Sequence, residues 1–536
     1  MTSSSGPGTG PGPHPDADPG AGPGSATGPS STAGPGPTAG SRADAIPARG
    51  AGPSRGRDFG PGSELDPGLS LGAAPTPGRL ARRLRLGDAI VIGLASMIGA
   101  GAFVSLGAAQ DLAGALAPVA VLIAAVVAIC NATSTAQLAA QHPSSGGTYH
   151  FGSQQLGPWW GFVAGWCFVI GKIASCAAMA LVIAAYLVPE PGQRIVAVLV
   201  VMALTAVNLV GITRTAALAR VLVTIALAAL LLTAGRLLVG LVRGDGPSAG
   251  ILEGAGPADM TSAGPAFGGV PGPLADAATG LWDGGLAAVL GAGTGGIVGV
   301  ALVVLQAAAL MFFAFAGYAR VATLGEEVIE PRRTIPRAIL LALAMVCALY
   351  LGLSALLVLV GPAPGGEGWG PAPFLTALES VGAGGAWSVV ITIGAVAAAA
   401  GALLALIAGV SRTMLAMARG GDLPRPLAKS SNRYAVPQRA EIVAALAVLA
   451  LVLLASDVLV AIAASAFGVL LYYAIGNLAA FTQAGQWRLF PTAMQIGGLI
   501  GCVVLVAALP GRTVVAGVAL VAIGVAYRAI VVRARR

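Results

Sequence analysis

Apolar runs recur along this chain from Leu86 onward, separated by short segments in which Arg, Pro and Gly collect. An α-helix needs roughly 20 such residues to cross about 30 Å of hydrocarbon. Counted that way, the pattern predicts about twelve spans, near 88–107, 116–138, 157–187, 194–212, 216–242, 297–324, 338–361, 384–411, 440–456, 458–482, 494–509 and 513–532. The expected fold class is therefore an all-α integral membrane protein.

Two of the runs carry small, Gly-interrupted stretches in the middle: Ile98-Gly99-Ala100-Gly101-Ala102-Phe103 in the first, and Phe313-Ala314-Phe315-Ala316-Gly317-Tyr318 in the sixth. Backbone amides and carbonyls cannot be left unpaired in lipid, so a helix interruption at that depth persists only where it lines a cavity or binds something. Paired interruptions at corresponding places in two halves point to the central site of a secondary transporter. In the first, the free amides and the positive end of a half-helix suit an anion such as a carboxylate. In the second, free carbonyls and two aromatic faces suit an ammonium group. Taken singly, either stretch also reads as a Gly/Ala or aromatic packing face.

Composition narrows the classes. The chain is 56% hydrophobic and 10% charged, with a mean hydropathy of +0.83, which excludes a soluble enzyme. Basic residues set the orientation. Arg79, Arg82, Arg83 and Arg85 precede the first span, Arg214 and Arg220 follow the fourth, and Arg332, Arg333 and Arg337 follow the sixth. Arg412, Arg419, Arg425, Lys429, Arg433 and Arg439 follow the eighth, Arg488 the tenth, and Arg528, Arg533, Arg535 and Arg536 close the chain. The opposite loops hold only Arg194, Arg236, Arg243 and Arg512, so both termini are expected in the cytoplasm. The pI near 9.6 thus reports topology, and no nucleic-acid partner is needed to explain it.

Residues 1–78 form a Pro/Gly/Ser/Ala tract expected to be a disordered cytoplasmic tail, with no signal peptide before the first span. The transporter core is expected over 79–482, including a long outer loop at 244–296, and 483–536 supplies two accessory helices. Gly291, Gly293 and Gly296 match the dinucleotide fingerprint but follow no strand. Gly165 and Gly171 are one residue too far apart for a phosphate loop at Lys172, and Gly157, Gly161 and Gly165 read as helix packing. Cys130, Cys167, Cys176, Cys347 and Cys502 read as small packing residues, and His14, His142 and His150 are too scattered for a metal site. No cofactor and no enzymatic constellation is expected.

Further motifs sharpen the picture: Glu326-Glu327-Val328 followed by Pro331 and Ile335-Pro336-Arg337-Ala338, His142-Pro143-Ser144-Ser145-Gly146-Gly147-Thr148-Tyr149, and Arg412, Arg419, Asp422 and Pro424. With Gly99 to Gly101 and Phe313 to Gly317, they make the chain resemble the amino acid-polyamine-organocation superfamily of permeases over about residues 80–532, most closely its bacterial amino acid branch. The resemblance implies a LeuT-like fold, with spans one to five and six to ten as inverted repeats. It also implies that Gly99, Ala100 and Gly101, flanked by Ile98 and Ala102, meet a substrate carboxylate. Phe313, Ala314 and Ala316, next to Gly317, would receive the amino group, and Phe315 would gate the substrate.

Proton-coupled relatives carry a lysine on the fifth helix where this chain has Ala226. Two cations stand elsewhere, Lys172 in the third span and Arg320 in the sixth. A lysine in mid-membrane costs about 2.5–3.5 kcal/mol on insertion scales and so faces a cavity or a partner. Lys172 is either a proton carrier, since burial disfavours its charged form, or a permanently charged group held by carbonyls of a broken helix. Arg320 lies seven residues before Glu327, which predicts a shared helix face and a structural ion pair or inner gate. Glu326 and Glu327, with Arg332, Arg333 and Arg337, are expected to lock the inner loop. The function expected is uptake of amino acids, by default small neutral ones, across the plasma membrane by alternating access with a coupled proton. An exchanger, an amine or polyamine permease, or a channel-like sensor on the same scaffold are the alternatives.

Overall fold

The computed structural model describes residues 84–142, 146–210, 215–245, 297–322, 324, 327–362, 368–429 and 436–534. The expectations for the tail at 1–78, for nearly all of the loop at 244–296 and for Glu326 lie outside the described residues.

In chain order the helices are α1 (Leu86–Met97), α2 (Ala100–Ala113), α3 (Ala117–Gln141), α4 (Gly147–Gln155), α5 (Pro158–Leu187), α6 (Gln193–Leu209), α7 (Thr215–Arg243) and α8 (Ile297–Phe315). They continue with α9 (Ala319–Ala322), α10 (Pro331–Val360), α11 (Pro373–Ser380), α12 (Ala386–Arg419), α13 (Gln438–Leu454), α14 (Val458–Phe481), α15 (Thr492–Ala508) and α16 (Gly511–Arg533). Among the described residues there is no strand, only one isolated parallel bridge between Leu84 and Val328. Among the described residues seven stretches are long and apolar enough to cross a membrane, and α1, α6, α8 and α15 are shorter apolar helices. The first and sixth predicted spans each appear as two half-helices, α1 with α2 and α8 with α9. The short helices α4 and α11 escape a search for long apolar runs.

Local sequence explains many boundaries. Pro stands in the first turn of α3, α5, α10 and α11, where its missing N–H has no intrahelical partner to lose. Asp457 caps α14, its Oδ1 accepting from Leu459 N at 2.7 Å and Val460 N at 3.0 Å. Outward faces carry exposed aliphatics such as Leu122, Leu199, Leu446 and Ile523, a surface suited to lipid. Inward, α5 packs against α12 and α14, while α10 packs against α3 and α1.

Where the basic loops gather, α16 is tied to the rest of the bundle by a buried charge cluster. Arg528 Nη1 meets Asp422 Oδ1 at 3.0 Å, and the Tyr149 hydroxyl donates to Asp422 Oδ2 at 3.0 Å. The guanidinium stands 5.0 Å from the Trp159 ring centroid and 4.8 Å from that of Phe162. Removing one partner of such a buried pair costs about 3–5 kcal/mol. Arg528→Leu is therefore expected to lower the unfolding free energy of the solubilised protein by about 3 kcal/mol. The double variant R528L/D422N should lose less than the sum of the two single changes, as read by thermal unfolding in detergent.

Candidate functional site

The first interruption is confined to two residues. Ile98 ends α1 with ψ 66°, Gly99 follows with φ −111° and ψ −148°, and α2 begins at Ala100. Gly101, Ala102 and Phe103 thus belong to the opening turns of α2. Ala102 N reaches Gly99 O at 3.3 Å and Gly99 N reaches Met97 O at 2.8 Å. The amides of Ala100 and Gly101, as the first two of a helix, have no intrahelical acceptor.

The second interruption is a turn of Ala316, Gly317 and Tyr318 between α8 and α9, so Phe313 and Ala314 lie in the last turn of α8. The two interruptions interlock. A Cβ on Gly101 would lie 2.5 Å from Ala314 Cα, and one on Gly317 would collide with the Ser96 carbonyl oxygen. Each glycine therefore admits the backbone of the other broken span. The first interruption also packs against α12 and α5, since a Cβ on Gly99 would stand 3.0 Å from Ala402 Cβ and 3.5 Å from Met179 Cε.

Three tyrosines from intact helices donate to carbonyls of the broken spans. Tyr350 of α10 donates to Met97 O at 2.8 Å and sits 3.4 Å from Ala314 O, bridging both interruptions. Tyr473 of α14 donates to Ala316 O at 3.1 Å, and Tyr186 of α5 donates to Phe103 O at 2.9 Å. The Ala316 carbonyl thus accepts from Tyr473, while the Ala314 carbonyl lies 3.4 Å from a hydroxyl whose one proton goes to Met97 O and so keeps accepting capacity. None of these tyrosines was singled out from the sequence. The available signal was an isolated phenol within an apolar run, since a buried hydroxyl must find an acceptor.

Lys172 is 7% exposed and its Nζ approaches the same Ala316 oxygen at 3.5 Å. Beside it, Ser175 of α5 and Ser465 of α14 share a hydrogen bond of 2.6 Å. Ala226 is fully buried on α7, and its carbonyl faces Gly394 of α12. Phe315 is fully buried and meets Tyr350 edge-on at 5.2 Å between ring centroids.

A cavity of about 120 Å³ opens on the basic side of the first interruption, lined by Ser96, Ile98, Leu222, Gly401, Arg320 and Glu327, among others. The helical register predicted for Arg320 and Glu327 does not hold, because α9 stops at Ala322 and the chain turns back through bonds from Leu324 N to Val321 O and from Val328 N to Leu324 O. The two residues meet at the cavity wall instead. Below it, Leu84 N donates to Glu327 O at 3.0 Å and Ile329 N to Leu84 O at 2.9 Å, pairing the segment before α1 with the loop after α9. Asp88 of α1 and Arg220 of α7 close within 3.3 Å nearby.

The amino acid permease family profile matches residues 88–509. An uncharacterized transporter of Mycobacterium tuberculosis is 46% identical over 409 residues, covering 75% of this chain and 81% of the relative. Shorter matches include the vacuolar cationic amino acid transporter 2 of Arabidopsis thaliana, 38% identical over 135 residues (25% of this chain, 21% of the relative). Another is a branched-chain amino acid permease of Bacillus subtilis, 34% identical over 136 residues (25% and 28%). The match runs through both interrupted spans and the loop that follows the second, and the chain belongs to the amino acid permease family, as a multi-pass membrane transporter and not an enzyme.

Proposed function

We propose that this protein takes up small neutral amino acids across the plasma membrane by alternating access, coupled to a proton carried by Lys172. Membership in the family supports amino acid transport, and the observation that carries the rest is the interlock of the two interruptions. The amides of Ala100 and Gly101 offer a seat for a carboxylate, and the Ala314 carbonyl, beside the Ala316 carbonyl that Lys172 approaches, offers one for an ammonium.

Two related transporters are named for cationic and branched-chain amino acids. A neutral side chain fits this chain better. Among the described residues Glu441 is the one fully buried carboxylate, and it stands at the start of α13, away from both interruptions. A cationic side chain drawn into this centre would lack a counter-charge. The cavity beside Arg320 and Glu327 then serves as the release route, and the asymmetry of basic residues makes that side cytoplasmic, with both termini there.

Three outcomes test this. In proteoliposomes, one labelled neutral amino acid should be displaced by other small neutral ones and spared by arginine and lysine. Gly317→Ala should cut uptake at least tenfold, corresponding to about 1.4 kcal/mol or more of lost complementarity, because the new methyl group collides with the Ser96 carbonyl. Lys172→Met should retain substrate counterflow at equal pH yet fail to concentrate substrate under an imposed pH gradient. Full gradient-driven accumulation by that variant would remove Lys172 from the coupling step.

A further inference from the structure

A line of polar side chains runs through the apolar bundle where α3, α14 and α15 meet, away from the cavity described above. On α3 the residues are Asn131, Ser134, Gln137 and Gln141, spaced three or four apart and so on one face. On α14, Tyr473 and Asn477 stand one turn apart, with Gln483 just beyond the helix end, and on α15 Gln495 precedes Cys502 by two turns. Asn477 Nδ2 donates to Asn131 Oδ1 at 2.6 Å, and Cys502 Sγ approaches the same oxygen at 3.4 Å. Gln137 Nε2 reaches Ala480 O at 3.3 Å, Gln483 Nε2 lies 3.5 Å from Gln137 O, and Gln483 also bonds Gln141.

Both ends of this line are informative. At mid-bundle, Tyr473 donates to Ala316 O, the oxygen that Lys172 Nζ approaches, and the Tyr318 ring stacks on Tyr473 at 5.0 Å. At the basic end, Gln155 Nε2 lies 3.1 Å from Gln141 Oε1 and 3.0 Å from His142 Nε2. His142 is partly exposed and faces His150 at 6.0 Å. Burial, and for His142 also the neighbouring His150, holds both imidazoles below the ordinary histidine value. The interior of the line keeps hydrogen-bonding capacity in reserve. The Asn131–Asn477 amide pair uses one donor and one acceptor and leaves Asn131 Nδ2 and Asn477 Oδ1 without protein partners, as are Ser134 Oγ and Gln483 Oε1, all on residues 2% exposed or less. Amides that served only to glue helices together would pair fully with protein; spare donors and acceptors along a continuous seam are what a file of water molecules binds.

We propose that this seam is a proton conduit between the cytoplasmic side and Lys172, separate from the route by which substrate leaves. The inference rests on Lys172 as the proton carrier. A proton leaves the Lys172 ammonium to a water at the Tyr473–Ala316 end, the electron pair staying on Nζ. It then passes from water to water along the amides and exits beside His142. The groups around Lys172 fit this assignment: Cys176 on its own helix, Tyr473 and Tyr318 across from it, and no ion pair to it among the described residues. The seam shares none of its residues with the cavity wall, so proton and substrate need not pass each other.

The full-length protein in proteoliposomes, with an internal pH dye and a labelled neutral amino acid, tests the proposal. Asn477→Leu and Gln137→Met should keep counterflow at equal pH within twofold of the wild type. Accumulation driven by a pH gradient, and dye-reported proton entry with substrate, should fall at least tenfold, while Asn477→Ser, which can still hold a water, should restore part of the coupling. Separately, Ser134→Cys, nearly isosteric, should react with a small water-soluble methanethiosulfonate, read at that residue by mass spectrometry. Wild-type coupling in Asn477→Leu and Gln137→Met, loss of counterflow together with coupling, or an unreactive Cys at position 134 would each overturn the conduit and leave Lys172 in place. A wild-type protein that moves no protons with substrate would overturn the Lys172 assignment and the conduit with it.

Discussion

Everything at the centre of this molecule follows from the intolerance of lipid for unpaired main-chain polar atoms. Interrupting two spans exposes amides and carbonyls at mid-bundle, and the fold answers with phenols. Tyr350, Tyr473 and Tyr186 each reach in from an intact helix and take a carbonyl of a broken one. A tyrosine suits the task because its ring packs with neighbouring helices while its hydroxyl supplies one directed donor. Met97 O already accepts from Gly99 N and Tyr350, and Ala316 O from Tyr473 with Lys172 close by, so the Ala314 carbonyl is the one left with capacity for a ligand.

Close backbone contact is the second requirement. Gly101 lies against Ala314 and Gly317 against the Ser96 carbonyl, so the interruptions form one interlocked unit. Each broken span has one half on either side of that unit. Below it, the pairing of Leu84 with the loop after α9 joins the half-helix α1 to the region following the second interruption. The same half-helix meets α7 through the Asp88–Arg220 pair, which is partly solvent-exposed and so contributes less than about 1 kcal/mol.

Polarity is distributed unevenly across the bundle. The cavity wall is mainly apolar, with Arg320 and Glu327 at its basic end, whereas the seam of α3, α14 and α15 concentrates amides and hydroxyls. Lys172 stands between the two regions through Ala316, whose carbonyl belongs to the interruption and whose partners include Tyr473. One main-chain oxygen therefore connects the cation, the aromatic cap and the head of the polar seam.

Much of this architecture was legible in the chain alone. Long apolar runs and clustered basic residues depend on neighbours in sequence, so periodicity and composition located the long apolar helices, both interruptions and the basic end. The extent of the interruptions was less legible: glycine and alanine tolerate helix as readily as loop, and Gly101 and Ala102 joined α2. The register predicted for Arg320 and Glu327 failed because a helix expected to run on stops at Ala322. What only the tertiary structure decided is which groups meet the exposed backbone. Tyr350 and Met97 are 253 residues apart, Tyr473 and Ala316 157, and Asn477 and Asn131 346. No local pattern encodes such pairings, since they arise when whole helices pack and their side chains reach across to the nearest unpaired atom.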